Sequence, residues 1–186
     1  MNRLWSPWRS QHVTAFNAAH QPASGQHISD PHASDPHAVE DTDSRSVFSR
    51  MAEEDRDADN LIVWRGAQVF VVMNLYPYNN GHLLIVPYRQ VATYAALTPA
   101  ERHAIADATD LCMRWLTDAL HPEGFNVGMN EGTAGGAGIP DHLHVHVLPR
   151  WAGDTNFMPT LADVKVIPEA MQVTYQKLLD AVAKEV

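Results

Sequence analysis

Three histidines of this chain alternate with apolar residues, reading His-Leu-His-Val-His at positions 142–146. Strict alternation of polar and apolar residues is typical of a β-strand with one buried face. On such a strand, side chains two residues apart lie on the same side. The pattern therefore predicts that His142, His144 and His146 line one face of a strand, while the residues between them enter a core. That histidine face is the first place to look for function.

The composition restricts the kind of protein that carries this row. A chain of 186 residues is long enough for one domain with a sizeable core. It has no apolar stretch long enough to cross a membrane, and its first residues lack the apolar segment of a signal peptide. A single cysteine excludes an internal disulfide and a Cys-x-x-Cys zinc site. The net charge of −9 is unlike the basic surface of nucleic-acid-binding proteins. We therefore expect a cytoplasmic protein that binds neither nucleic acid nor membranes.

Composition also divides the chain into three parts. We expect residues 1–14 to form an N-terminal segment that packs on the domain. Residues 15–58 are acidic and rich in His, Asp, Pro and Ser, so they are expected to be weakly ordered because they bury too little apolar surface. Residues 59–186 are expected to form the folded domain.

Within that domain, the order of predicted elements indicates the fold class. Thr98 begins a capping box that predicts a long helix, and Pro168 opens a last helix. Besides the histidine row, strands are predicted at residues 61–64, 68–73, 82–87 and 125–130. Strands joined by short turns, with one long helix between them, favour an antiparallel α+β domain.

A loop with four glycines, residues 131–138, leads towards the histidine row. Such a backbone can approach a ligand closely and offer N–H groups to anionic oxygens. Three interpretations of the row remain open. Two of its histidines could bind a metal together with His82 or Asp141. The row could be a polar, solvent-facing strand face, or a neutral His144 could attack a phosphorus atom. The adjoining glycine loop favours the third interpretation.

The motif His-x-His-x-His-x-x with apolar spacers resembles the signature of the histidine-triad (HIT) superfamily. The similarity includes residues 74–87 and 130–132 and extends over about residues 60–186. Residues 4–9 and 149–157 are similar to a bacterial branch that includes diadenosine-tetraphosphate phosphorylases and Fhit-like dinucleoside polyphosphate hydrolases. The resemblance implies an antiparallel sheet of about five strands with one long central helix and a C-terminal helix. It also implies a nucleotide as the small-molecule substrate and a homodimer.

The resemblance further implies a two-step nucleotidyl transfer. His144 would attack the α-phosphorus and form a nucleotidyl-histidine, which water or inorganic phosphate would then release. The other implied catalytic residues are His142, His146 and His82. The nucleotide-binding residues expected beside them are Asn74, Leu75, Asn130, Gly135, Gly136 and Gly138. The alternatives are an adenosine phosphoramidate-type hydrolase, a non-catalytic nucleotide-binding module, and a metal-dependent enzyme that uses the histidine row.

Many HIT proteins carry a structural zinc site made of Cys-x-x-Cys, a later histidine and the first histidine of the triad. Here Ser46 and Ser49 stand in the two cysteine positions, and Gln90 stands where the later histidine would be. Because three of the four ligands are missing, we predict no structural zinc, no metal-ligating residues and no required cofactor. A divalent cation that enters with the substrate stays open.

Overall fold

The structure, a computed structural model, describes residues 45–155 and 168–185. These residues form a five-stranded antiparallel sheet with the strand order β1-β2-β3-β5-β4. The strands are β1 (Ile62–Arg65), β2 (Val69–Met73), β3 (Leu83–Pro87), β4 (Gly124–Met129) and β5 (Val145–Arg150). The helices are α1 (Val47–Glu53), α2 (Asp57–Asn60), α3 (Pro99–Leu120) and α4 (Met171–Ala183). The predicted α+β fold, with a long central helix and a C-terminal helix, is confirmed. None of the helices in these ranges combines the length and apolar character needed to cross a membrane.

Helix α3 begins as the capping box predicts. The hydroxyl of Thr98 accepts a hydrogen bond from the backbone N–H of Glu101, whose carboxylate accepts one from the backbone N–H of Thr98. Pro99 follows the cap, where its missing N–H costs nothing. The helix buries one side against the sheet, and the buried Cys112 on that side has a pKa raised by desolvation. This cysteine is therefore part of the core.

Strands β2 and β3 are buried on both faces of the sheet, which explains why β2 reads as a continuous apolar run. Val69, Val71 and Met73 point into the main core beneath α3 and α4. Phe70 and Val72 point into a smaller cluster on the opposite face, which we call the α1-side cluster. Its buried members are Phe48, Ile62, Phe70, Val72, Leu84 and Val86. The α1 side of the sheet is the face on which the histidines gather.

The expectation of weak order does not hold for the last part of residues 15–58. Residues 47–53 form α1, and Phe48 is buried in the α1-side cluster. Apolar residues at Val47, Phe48 and Met51 have helical spacing, so this short stretch has an apolar side to bury although the segment as a whole is polar. The rest of that segment and the predicted N-terminal segment 1–14 lie outside the described residues.

The strand carrying the histidine row starts later than the alternation predicts. Ladder pairing of β5 begins at Val145, so His142 and His144 precede the strand. The backbone N–H of Leu143 donates instead to the carbonyl of Val91. On the neighbouring strand β3, Pro87 has no N–H with which to extend the ladder between β3 and β5.

A tight turn sets the start of β3 next to this row. Gly81 has a φ of +73°, and a Cβ there would lie 2.5 Å from the side chain of Leu120. Only glycine accommodates both the backbone conformation and the close approach of α3. The turn brings His82 to the first position before β3, facing the histidine row.

Candidate active site

His144 lies directly before β5 and is buried, with 6% of its surface exposed. Its Nδ1 atom lies 2.9 Å from the backbone carbonyl oxygen of His142. Because a carbonyl oxygen only accepts hydrogen bonds, Nδ1 carries the proton and Nε2 keeps its lone pair. Burial lowers the pKa of His144 more than the bond to the His142 carbonyl raises it. His144 is therefore a neutral imidazole at pH 7 with a nucleophilic Nε2.

His142 is fully buried and is held at both ring nitrogens. Its Nε2 donates to the carbonyl oxygen of Pro87, at a distance of 2.8 Å. In the neutral ring Nδ1 is then an acceptor, and the hydroxyl oxygen of Ser46 lies 2.6 Å from it. Burial is the main cause that lowers the pKa of His142. The ring is thus a fixed, neutral support whose backbone carbonyl faces His144.

His82 and His146 form a hydrogen-bonded pair across β3 and β5. Leu84 pairs with His146, so His82, two residues earlier, lies on the same face of the sheet. The backbone N–H of Tyr78 donates to Nδ1 of His82, which leaves the proton on Nε2. That Nε2 donates to Nδ1 of His146 at 2.9 Å. Burial, reinforced by the neighbouring His146 and His144, lowers the pKa of His82 to about 3. In this chain of bonds His146 carries its own proton on Nε2.

Phe48 of α1 packs edge-on against two rings of the triad. Its ring centroid lies 5.6 Å from that of His142 and 5.1 Å from that of His144. Edge-to-face contacts of this kind stabilise ring orientation in addition to the area they bury. Sequence reasoning missed Phe48 because it lies in a stretch predicted to be weakly ordered. The helical spacing of its apolar neighbours was the signal that would have found it.

Tyr78 covers the other side of the cluster. Its ring stacks on His146 with a centroid distance of 5.7 Å and lies 4.8 Å from the ring of His82. Nearly half of Tyr78 is exposed, so it borders solvent while its backbone N–H holds His82. Sequence reasoning missed this residue too, because a tyrosine in a turn-rich segment carries no distinctive signal.

Asn74 lies beside the histidine cluster, as a nucleotide-binding residue would need to. Its Nδ2 lies 3.2 Å from Nδ1 of His82, and its Oδ1 accepts the backbone N–H of Tyr76. The adjoining Leu75 is 60% exposed and Tyr76 is 77% exposed. Large apolar groups open to solvent next to a polar cluster offer a surface on which a base could pack. The predicted ribose and base contacts of Asn74 and Leu75 stay predictions.

Asn130 follows β4 at the level of His144. The register pairs Gly128 with His146 and Met129 with Val145. This pair is the last of the ladder, and Asn130 and His144 are the residues that directly adjoin it on the two strands. This placement agrees with a residue that contacts the scissile phosphate, although that role stays a prediction.

The glycine loop uses three of its backbone amides internally, those of Gly135, Gly136 and Ala137. The N–H groups of Gly135 and Gly136 donate to the carbonyls of Gly132 and Thr133 in a short 3-10 turn. The expectation that both amides are available to phosphate therefore does not describe this conformation. Gly138 is exposed, and a Cβ there would meet no atom within 4 Å. The predicted phosphate contact of Gly138 stays a prediction.

The histidines do not gather as a set of metal ligands. In residues 45–155 and 168–185, no group of three or more His, Cys, Asp or Glu side chains has a geometry that could hold a metal ion. His82 and His146 point ring nitrogens at each other, and Nε2 of His142 points at a carbonyl oxygen. The arrangement instead fixes the tautomers of the ring nitrogens, which is the requirement for nucleophilic or proton-transfer chemistry.

The comparisons with known proteins agree with this geometry. The family model described as "HIT domain" matches residues 55–153, more than half of the chain. The chain is 35% identical over 185 residues to an "AP-4-A phosphorylase" of Mycobacterium tuberculosis, covering 100% of this chain and 86% of that protein. The chain belongs to the histidine-triad (HIT) family.

More distant relatives share parts of the chain or the fold alone. A "Bis(5'-nucleosyl)-tetraphosphatase [asymmetrical]" of Schizosaccharomyces pombe is 30% identical over 96 residues, covering 48% of this chain and 52% of that protein. The crystal structure of a "ZN-bound histidine triad family protein" from Mycobacterium smegmatis superposes with a TM-score of 0.62 at 21% identity. That superposition covers 75% of this chain and 94% of the other, and it shows a common fold.

Proposed function

We propose that this chain is an enzyme that cleaves dinucleoside polyphosphates of the diadenosine tetraphosphate type through a covalent nucleotidyl-histidine on His144. The observation that carries the proposal is the bond from Nδ1 of His144 to the carbonyl of His142. It leaves the Nε2 lone pair available to attack phosphorus. After attack the ring becomes cationic, and the same carbonyl dipole stabilises that charge more strongly than it stabilises the neutral ring. The names of the relatives point to the same substrates.

The proposed first step transfers a nucleotide to the enzyme. Nε2 of His144 forms a bond to the α-phosphorus while the bond from phosphorus to the bridging oxygen breaks. The electron pair of that bond leaves with the departing nucleoside polyphosphate. His146, whose ring centroid is 4.9 Å from that of His144, carries a proton on Nε2 and is the donor proposed to stabilise the developing oxyanion.

In the second step an acceptor oxygen attacks the same phosphorus, and the phosphorus–nitrogen bond returns its electron pair to Nε2. We propose inorganic phosphate as this acceptor. The relative named as a phosphorylase matches along the whole chain, whereas the relative named as a tetraphosphatase matches about half of it. Similarity over the full length is the stronger support because it includes the regions outside the triad.

The test supplies diadenosine tetraphosphate with and without inorganic phosphate and identifies the products. Phosphorolysis gives ADP and ATP and depends on phosphate, whereas hydrolysis gives AMP and ATP. His144→Ala should lower turnover by at least about 10³-fold. His103→Ala, on the exposed face of α3, is the matched control and should keep full activity. Wild-type-like turnover by His144→Ala would refute the nucleotidyl-histidine.

The same assay separates the alternatives. Cleavage of adenosine phosphoramidates with no cleavage of dinucleotides would assign the chain to a phosphoramidate hydrolase. Binding of AMP or ADP without turnover of any substrate would make it a binding module. About one equivalent of metal in the purified protein, whose removal abolishes turnover, would favour a metal-dependent enzyme that uses the histidine row.

We also propose that two copies associate through β4. This strand lies at the end of the described sheet, and Val127 and Met129 expose 48% and 38% of their surface. An open strand edge with apolar side chains favours pairing with a second sheet. Val127→Lys should convert a dimer into a monomer in light scattering, whereas Val173→Lys, equally exposed on α4, should not. A monomeric wild-type protein would refute the proposal.

The proposed compartment is the cytoplasm. Its support is the sole, buried cysteine, which needs no oxidising environment, together with nucleotide substrates of the proposed kind. Fractionation of the source cells with an antibody against the chain tests this, and recovery outside the cytoplasmic fraction would refute it.

A further inference from the structure

Ser46, Ser49, Gln90 and His142 form a hydrogen-bonded cluster at the start of α1, which we call the Ser46 cluster. Oγ of Ser46 lies 2.6 Å from Nδ1 of His142 and 3.2 Å from Oγ of Ser49. Oε1 of Gln90 accepts the backbone N–H of Ser46 at 2.8 Å and the hydroxyl of Ser49 at 3.0 Å. The contacts of Ser46 and Ser49 with Gln90 and His142 span 41 to 96 positions of the sequence, so the cluster joins α1 to the triad.

The proton positions in this cluster follow from one fixed bond. Nε2 of His142 donates to the carbonyl of Pro87, so Nδ1 of the neutral ring accepts. The hydroxyl of Ser46 is therefore the donor to Nδ1. The same hydroxyl oxygen accepts the backbone N–H of Ser49, which makes Ser46 the N-cap of α1. One side chain thus fixes both the helix and the histidine.

This cluster occupies the positions in which many HIT proteins hold zinc, and it does not fit that ion. Tetrahedral zinc with ligand distances of about 2.0–2.3 Å separates its ligand atoms by about 3.3–3.8 Å. The bonds from Ser46 to His142 and from Ser49 to Gln90 are 2.6 and 3.0 Å long. Neutral hydroxyl and amide oxygens are also poor substitutes for thiolates. Direct hydrogen bonds join the groups that a metal joins in those relatives.

We propose that Ser46 is a positioning residue for the reaction, replacing a structural metal by a hydrogen bond to His142. Ser46 holds the His142 ring, the ring holds Pro87, and the His142 carbonyl then faces Nδ1 of His144. Ser46 touches no reacting atom, so it acts through His142. The catalytic part of this proposal rests on the nucleotidyl-histidine of His144 proposed above.

The variant Ser46→Ala removes the hydroxyl at 2.6 Å from Nδ1 of His142 and leaves only the weaker contact with the Ser49 hydroxyl at 3.5 Å among the described residues. We expect kcat for diadenosine tetraphosphate to fall by about 10- to 100-fold, the range seen when an outer partner of a ligating or catalytic histidine is lost. KM should change by less than about threefold, because no substrate contact is removed. Ser46→Thr retains the hydroxyl and should restore most of kcat.

A control is needed because Ser46→Ala also removes a helix cap. Thr98→Ala removes the N-terminal cap of a different helix, α3, and Thr98 is not part of the Ser46 cluster. This control should lower the melting temperature while kcat stays at the wild-type value. Equal kcat in the wild type and in Ser46→Ala would overturn the positioning role. So would a parallel loss of kcat in Ser46→Ala and Thr98→Ala.

A second measurement does not depend on activity. Nitrogen-15 NMR of the full-length protein labelled at histidine should show Nδ1 of His142 as an unprotonated, hydrogen-bonded nitrogen, and Ser46→Ala should shift that signal. The purified wild type should bind less than about 0.1 equivalent of zinc, whereas S46C/S49C/Q90H should bind one equivalent. Stoichiometric zinc in the wild type, or a protonated Nδ1, would overturn the replacement of metal by hydrogen bonds. An inactive wild type with the expected NMR signal would refute the proposed function and leave the hydrogen-bond assignment standing.

Discussion

Lowering the pH from 7.5 to 5.0 should destabilise this protein through the histidines on the α1 side of the sheet. His82 is fully buried, and its pKa is lowered from the ordinary value of 6.5 to about 3. The unfolded chain takes up a proton at His82 below pH 6.5, while the folded chain does not until about pH 3. The stabilising contribution is therefore complete above pH 6.5 and is lost as the pH falls from there towards 3.

The magnitude follows from these two values. At pH 5.0 protonation favours the unfolded chain about 30-fold at this one site, which is about 2 kcal/mol of unfolding free energy. This difference in unfolding free energy hardly changes for any pKa of His82 below about 4 in the folded protein, because the His82 ring is then neutral at pH 5.0. His142 and His144 have pKa values lowered by burial as well, so their contributions have the same sign.

The assay is urea unfolding at pH 7.5, 6.0 and 5.0 for the wild type and for His82→Gln. The glutamine variant should be less stable at pH 7.5, because it loses packing and the bond to His146. Its loss of stability between pH 7.5 and 5.0 should be smaller than that of the wild type by about 2 kcal/mol. His103→Gln, which removes an exposed histidine of α3, should retain the wild-type pH dependence. An identical pH dependence of the wild type and His82→Gln would refute the reasoning.

Four further substitutions test packing and backbone geometry in the folded domain, each by chemical unfolding at pH 7.5. Phe48→Ala should lower the free energy of unfolding by about 3–4 kcal/mol, because it leaves a cavity at a buried position against two histidines. A loss below about 1 kcal/mol would contradict this packing. Tyr175→Phe should lower the free energy of unfolding by about 1 kcal/mol, since the hydroxyl of Tyr175 donates to the carbonyl of Ile62. Unchanged stability would rule out that hydrogen bond. Gly81→Ala should lower the free energy of unfolding by about 2–4 kcal/mol, and Gly136→Ala should lower it by about 1 kcal/mol. Both glycines have a positive φ, but of the two only Gly81 lacks space for a Cβ. Equal losses in the two variants would contradict the close approach of α3 to Gly81.

The elements were predictable where a local signal marked them. The capping box at Thr98 and the apolar spacing behind it indicated α3, and the apolar run before Asn74 indicated β2. Helix α1 was missed because a segment-wide composition concealed its short apolar side around Phe48. The start of β5 was misplaced because alternation alone does not reveal that Leu143 bonds to Val91 and that Pro87 ends the neighbouring ladder.

The site was predictable as a set of residue types but not as a set of bonds. The motif and its resemblance indicated His144 and its three companion histidines. Nothing in the sequence specifies that His82 donates to His146, or that Gly135 and Gly136 use their amides inside the loop. Such bonds depend on the relative positions of segments far apart in the chain.

The sequence by itself determined the fold class, the alternation of three imidazoles with apolar residues, and the presence of serines rather than cysteines at positions 46 and 49. Each of these is a property of residue type and local spacing. Only the tertiary structure decided which nitrogen of each ring carries the proton, because that depends on partners such as Ser46 and Pro87 brought in from distant strands and helices. Reactivity at His144 depends on this choice of tautomer, and burial among those partners also keeps the ring neutral.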